Sequence, residues 1–498
     1  MATRIKPDDN VDIDPETQVA SEESPLLQNT SPQQDGPSKA FRRRALGMCM
    51  LALLMVEVSQ FIMNPPTKKI IEDIICRQHY PDHAIKSYWI EDQRCKDSPV
   101  QKTLAMVQGW AQAFEMGVPI LTQFPYGIVA DKYGRRLVLF LAMLGCCLST
   151  CWLLMVCDSV FFLIGGGGQM AVAMVYTIVA DVVPVAERTD MFFRLVALVL
   201  VFNVIFNPIS AWLMEYDPWL SMWIGFGFMV FGTLCILLIP ETMHLRRKDD
   251  DERHDENDQA GGVPLSKNGV LKQAWFSIKN DMQHVWRFIF ASKSIMMLMF
   301  SVALFVPTRI TLTGVMLQYM SKRFDWSWSK ATYISTIGII ATVVCYLIIL
   351  PVTSDSLNKS HRYKSRPIAR DLLLARVSIA IMTVGLLLMG VAGSPWLFII
   401  SLITTSVGNS FVALSRALLN ALVEPHTIAT LNTTVSVVEV LMGMTAPAMS
   451  WLLAKGIELG DSWMGLPFVV TGMLAVMTTI MLFAVRLPSS GIAQAHAG

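Results

Sequence analysis

The sequence predicts an all-α polytopic membrane protein of about twelve transmembrane helices, and three observations predict it. Of 498 residues, 53% are hydrophobic and 16% charged, and the mean hydropathy of +0.47 suits lipid better than water. Apolar runs recur near 45–63, 103–126, 137–157, 160–180, 192–214 and 219–239, then near 295–319, 331–352, 371–391, 395–416, 430–454 and 464–486. Each is long enough to cross a hydrocarbon core of about 30 Å. Basic clusters at 42–44, 132–136, 246–248 and 359–370 fall on one side of the bilayer if the spans alternate, which makes that side cytosolic.

Taken in order, residues 1–44 are polar and rich in Pro, Asp, Glu, Ser and Gln, and read as a disordered cytosolic tail without the apolar centre of a cleavable signal peptide. Arg42, Arg43 and Arg44 precede the first span and hold the amino terminus in the cytosol. A first group of six spans fills 45–240, a hydrophilic cytosolic loop 241–293, a second group of six 294–487, and a cytosolic tail 488–498. The central loop carries Arg246, Arg247 and Lys248 and an acidic run at 249–258, the composition of a solvated linker. A net charge of +1 offers no footprint for nucleic acid.

Between the second and third spans stands Gly127-Ile128-Val129-Ala130-Asp131-Lys132-Tyr133-Gly134-Arg135-Arg136. Two glycines permit a tight turn, and Lys132, Arg135 and Arg136 anchor it outside the lipid. The pattern G-x-x-x-D-[KR]-x-G-[KR]-[KR] resembles at every fixed position the signature loop of the major facilitator superfamily. That resemblance implies two pseudo-symmetric six-helix bundles around a site near the bilayer midplane, with Gly127, Asp131, Lys132, Gly134, Arg135 and Arg136 gating alternating access. The segment 181–189, Asp217-Pro218-Trp219 and Ile239-Pro240-Glu241-Thr242 are similar to fungal members, including those encoded beside secondary-metabolite pathways.

Two departures bear on mechanism. Glycines at 165–168 occupy the place of an arginine common in the fourth span of family members, and Asn207-Pro208-Ile209-Ser210-Ala211 keeps the proline but not the first glycine of an antiporter motif. Four glycines suit close helix approach or bending.

Ionisable residues inside spans are costly in lipid and mark candidate sites. Glu57 lies in the first span; Glu115 in the second shares a face with Gln108 and Gln112. Each acid is a candidate for a proton or a cationic substrate group, or else for a structural bond between helices. Arg309, Arg416 and Glu439 are their counterparts in the second half, and Pro307 before Arg309 is expected to break the helix. Arg194 and Arg376 sit near span ends, where snorkelling is expected. Trp110, Phe114, Tyr176, Phe202, Phe206 and Tyr319 have the spacing of cavity liners or of ordinary packing, and the 31 methionines suit a broad apolar ligand equally.

The connection 64–102 is expected to be a long outer loop, in which Cys76 and Cys95 form a disulfide or else stay free thiols. His79 and His83 with these cysteines have the ligand types of a zinc site, but Pro81 disrupts helical ligand geometry and no metal or cofactor is expected. The sequons at Asn29, Asn358 and Asn432 fall in a cytosolic tail, a cytosolic loop and a span, so no glycosylation is expected. Glu22-Glu23-Ser24-Pro25-Leu26-Leu27 is similar to an acidic dileucine sorting signal, which sets vacuolar or endosomal delivery against the plasma membrane.

No Walker sequence, paired-acid site or histidine box occurs in a span, which argues against an ATP-driven pump and a membrane enzyme. The expected function is a monomeric, lipid-embedded secondary carrier exporting a small organic compound with protons. A proton-coupled importer of a nutrient or vitamin, or a receptor of the same fold, is the alternative.

Overall fold

The computed structural model describes residues 39–80, 93–156, 174–175, 178–179, 183, 185–239, 293–359, 367–422 and 428–485, and among them every regular element is helical. In the first bundle these are α1 (Lys39–His79), α2 (Ser98–Tyr133), α3 (Arg135–Val156), α4 (Val185–Tyr216) and α5 (Pro218–Ile236). The second bundle begins with α6 (Lys293–Ile310), which passes through a π-turn (Thr311–Val315) into α7 (Met316–Arg323). Then come α8 (Trp328–Val344), a π-turn (Cys345–Ile349), α9 (Leu350–Lys359), α10 (Pro367–Gly390), α11 (Pro395–Gly408), α12 (Phe411–Ala421), α13 (Ile428–Gly443), α14 (Ala446–Leu459) and α15 (Leu466–Ala484). Nine helical stretches among the described residues are long and apolar enough to cross a membrane. Of the expected fourth span only 174–175 and 178–179 are described; residues 1–38, 240–292 and 486–498 lie outside the described residues, and 39–44, expected in the amino-terminal tail, are instead the start of α1.

Helix starts follow from local chemistry. Asp217 Oδ1 accepts from Trp219 N at 2.9 Å ahead of Pro218, and Ser394 Oγ accepts from Leu397 N at 3.3 Å ahead of Pro395. Within lipid every backbone group needs a partner. Pro66 has no N–H to give the Ile62 carbonyl, and Ser210 Oγ on α4 donates to that oxygen at 2.7 Å instead. This corrects the boundary expected at 63: α1 runs on through Pro65 and Pro66 to His79. At 41 residues it is about 61 Å long, twice the about 30 Å hydrocarbon core. Much of the expected outer loop is therefore helix, supported by the i,i+4 pair of Lys69 Nζ and Asp73 Oδ1 at 3.0 Å. The helix also continues past Pro307, and the irregularity comes four residues later as the π-turn.

Each bundle has its own core, Ala52, Leu139, Met143, Leu195 and Met229 in the first and Leu298, Ile379, Leu386, Phe411 and Leu482 in the second. A third apolar cluster joins them at the end that carries Cys76 and Cys95, where Ile75 and Leu104 pack with Tyr319, Trp328, Phe398, Leu453 and Phe468. In α10 the close approach to α11 requires Gly385, where an added Cβ would lie 2.6 Å from the Thr405 backbone nitrogen.

Candidate functional site

At the opposite, basic end, α2 stops at Tyr133 and α3 starts at Arg135, leaving Gly134 as the whole connection. Its φ of 106° and ψ of 147° lie where only glycine is unstrained, and its N–H closes on Ala130 O. Arg135 is buried, and Arg136 donates through Nη2 to Leu237 O at the end of α5. The second bundle repeats this contact. Arg376 on α10 donates to Leu482 O at 3.1 Å, Phe483 O at 3.2 Å and Val485 O at 2.7 Å, capping α15 where a cation suits the helix dipole. Capping, more than snorkelling, is thus its role. The side chains of Asp131 and Lys132, and Gly127 beyond its place in α2, fall outside the described residues.

Of the expected second-half charges, Arg416 and Glu439 meet each other, Nη2 to Oε1 at 2.6 Å. Asn358 Oδ1 accepts from Arg370 at 2.7 Å; Asn432 lies in α13, and Asn29 outside the described residues. Tyr319 is buried among Phe324, Phe398 and Phe468, with centroids 5.0–6.0 Å away, so it belongs to the core. Phe202 and Phe206 stack at 5.6 Å and pack against Val58 and Ile62.

Two contacts fix the mutual register of α1, α2 and the α6–α7 helix. Lys68 Nζ donates to Thr313 O at 3.0 Å and Gly314 O at 3.2 Å, and Gln112 Oε1 abuts Gly314. One turn further toward the basic end lie Asn64 on α1, Glu115 on α2 and Arg309 on α6, since successive turns recur every three to four residues. Lys68 is 8% exposed, whereas Asn64, Glu115 and Arg309 are exposed on the surface of their helices. Glu57 and Gln60 continue the Asn64 face of α1, with Gln60 exposed and Glu57 half-buried. Gln108, one turn from Gln112 toward the disulfide end, has a buried amide nitrogen with no partner among the described residues. Glu57, Glu115 and Arg309 lie near the middles of α1 (39–79), α2 (98–133) and the α6–α7 helix (293–323), so this polar face sits midway along these helices.

Sequence reasoning missed the groups above it. Glu72, fully buried on α1, lies 3.2 Å from Lys96 Nζ and accepts from Trp328 Nε1 at 2.7 Å and from Gln101 Nε2. Lys96 also donates to Ser321 Oγ, and Gln318 Nε2 donates to Gln101 O at 2.7 Å. Trp328, Ser321 and Gln318 belong to the second bundle, so this clasp joins the two halves. Cys76 and Cys95 are bonded (S–S 2.02 Å), and Gln101 Nε2 donates to Cys95 O at 3.0 Å, tying Lys96 and Gln101 to α1. Beside it Tyr80 donates to Asp97 Oδ2 at 3.0 Å, and that carboxylate pushes the phenol above its ordinary value. Lys102 and Glu458 add a cross-bundle pair at 3.6 Å, and Asn207 Nδ2 donates to Ser335 and Thr336 at 3.4 Å. The Lys68/Glu72 and Lys69/Asp73 spacings were the available signal for a continuing helix. Two prolines concealed it. Among the described residues no group of three or more His, Cys, Asp or Glu converges as a metal would need.

Comparison with known proteins agrees with this architecture. The chain is similar to the MFS efflux pump atnC of Emericella nidulans, 28% identical over 95% of this chain and 94% of that protein, and to the efflux pump ustT of Aspergillus flavus, 27% identical over 82% of each. Its fold is similar to a bacterial homologue of the human lysosomal transporter Spinster in an inward-facing form (TM-score 0.58, 12% identity, 90% of this chain and 98% of that one). It is likewise similar to the xylose transporter XylE of E. coli (TM-score 0.56, 13% identity, 91% and 99%). The Major Facilitator Superfamily profile matches residues 101–447, about 70% of the chain. With two helical bundles, a basic loop turning at Gly134 and a polar face midway along its helices, the chain is a multi-pass membrane transporter of the major facilitator superfamily.

Proposed function

We propose that the chain is a secondary active exporter that works by alternating access, driven by protons and carrying a small organic compound such as a fungal secondary metabolite. One observation carries the reading: the clasp of Glu72, Lys96 and Trp328 closes the disulfide end directly over the open polar face of Asn64, Glu115 and Arg309. A disulfide suits an oxidising exterior and basic clusters suit the cytosol, so the closed end is the outer one and the termini are cytosolic. Rocking the bundles about the central face then exchanges access, with Gly134 and its neighbours steering the motion. The direction rests on relatives whose names describe efflux. Glu57 and Glu115, carboxylates at mid-membrane, are the proton carriers in this scheme. The protein acts as a monomer in the plasma membrane.

Uptake into inside-out vesicles with an imposed pH gradient tests this. The compound accumulates when the vesicle interior is acidic, and Glu57→Gln with Glu115→Gln uncouples transport from the gradient while sparing binding. Accumulation only in right-side-out vesicles, with unchanged efflux, establishes the importer instead. Localisation of a tagged chain to the vacuole moves the site of action and leaves the mechanism intact.

A further inference from the structure

We propose that Arg309 is the binding group for an anionic headgroup, so that the transported compound is an amphipathic carboxylate; this rests on the carrier reading above and narrows its substrate. A guanidinium stays charged at any physiological pH, and inside a membrane protein it calls for an anion. The other described arginines of the second bundle have found partners. Arg323 faces Asp461 at 3.6 Å, Arg370 faces Asp371 at 2.7 Å, Arg416 faces Glu439 at 2.6 Å, and Arg376 caps three carbonyls. The Arg309 side chain makes no hydrogen bond or ion pair with any described residue, although it stands midway along a helical span most of which is buried.

Its setting is built for a guest. Thr313 Oγ1 donates to Arg309 O at 2.9 Å, which stacks the two residues on one face, and both are exposed. The Lys68 and Gln112 contacts one turn above bring Asn64 and Glu115 to the same level from the first bundle. Asn64 and Thr313 are neutral groups able to hydrogen-bond a carboxylate, and Arg309 supplies the bidentate fork that fits one. Glu115 forms no ion pair with any described residue, Arg309 included.

The test uses purified full-length protein in nanodiscs and three acid–amide pairs of matched shape: phenylbutyric, naphthaleneacetic and dodecanoic acids with their amides. Calorimetry should show that at least one acid binds roughly 10- to 100-fold tighter than its amide, the range of one charge-assisted contact. Arg309→Gln should bring the acid down to the level of the amide and leave the amide unchanged; Arg309→Lys should keep part of the preference. Wild-type protein that prefers no acid to its amide, or an Arg309→Gln protein that folds and retains the preference, overturns the assignment. If Arg309→Gln fails to fold, the wild-type pairs and Arg309→Lys decide. Gradient-driven transport of the amides alongside indifference to charge would remove the anion site and leave the carrier standing, whereas no gradient-driven transport of any compound would remove the carrier reading itself.

Discussion

Trp328→Phe removes one of the contacts by which the clasp crosses between the bundles. The indole Nε1 donates to Glu72 Oε2 at 2.7 Å, and Phe keeps the buried ring while removing that one donor. Glu72 retains Lys96 and Gln101 from its own bundle, so its charge stays compensated. A hydrogen bond to a charged group is worth about 1.5–3 kcal/mol, which is roughly a 10- to 150-fold change in an equilibrium constant. If the closed form holds about 99% of the population, the substitution lowers it to between roughly 40% and 91%. Pulsed electron paramagnetic resonance between labels at Gln78 on α1 and Lys330 on α8, both exposed, reads this as a second, longer distance. Glu72→Ala opens the same end and also strands the Lys96 ammonium, at about 3–5 kcal/mol for a broken buried pair, so it lowers the thermal midpoint as well. An unchanged distance distribution in Trp328→Phe would refute the idea that this contact holds the end shut.

Two further substitutions probe backbone geometry. Gly134→Ala should slow transport nearly as much as Gly134→Leu at matched membrane amounts, because the strain comes from φ of 106° and not from side-chain bulk, at about 1–3 kcal/mol; full activity in the alanine variant removes that explanation. Gly385→Ala should reduce the thermal midpoint of detergent-purified protein through about 1–3 kcal/mol of overpacking against the Thr405 backbone. Gly393→Ala, where an added Cβ meets nothing within 4 Å, is its control, and equal midpoints for the two variants count against the close-approach argument.

What the sequence by itself determined is the class of molecule, because the relevant physics is local. Whether a run of about twenty apolar residues enters lipid depends on its own composition, and the side on which its flanks lie depends on nearby arginines and lysines. The loop at 127–136 was equally legible, since a glycine between two helix ends and bases beside it define a turn without reference to distant residues. Glu57, Glu115 and Arg309 stood out because any charge in an apolar run does.

Their relationship was not legible. Only the packed bundles show that Arg416 faces Glu439, that Arg309 faces no described partner, and that Asn64, Glu115 and Arg309 come to one level. The clasp was hidden more deeply, for Glu72 and Trp328 lie 256 residues apart and neither is unusual in its own neighbourhood. Pro65 and Pro66 read as a helix end because their lost hydrogen bonds are a local fact, while the hydroxyl of Ser210 that takes up the Ile62 carbonyl comes from another helix. Tertiary structure decides such matters because a buried polar group is stabilised by the partner that packing brings to it, and sequence spacing carries no record of that partner.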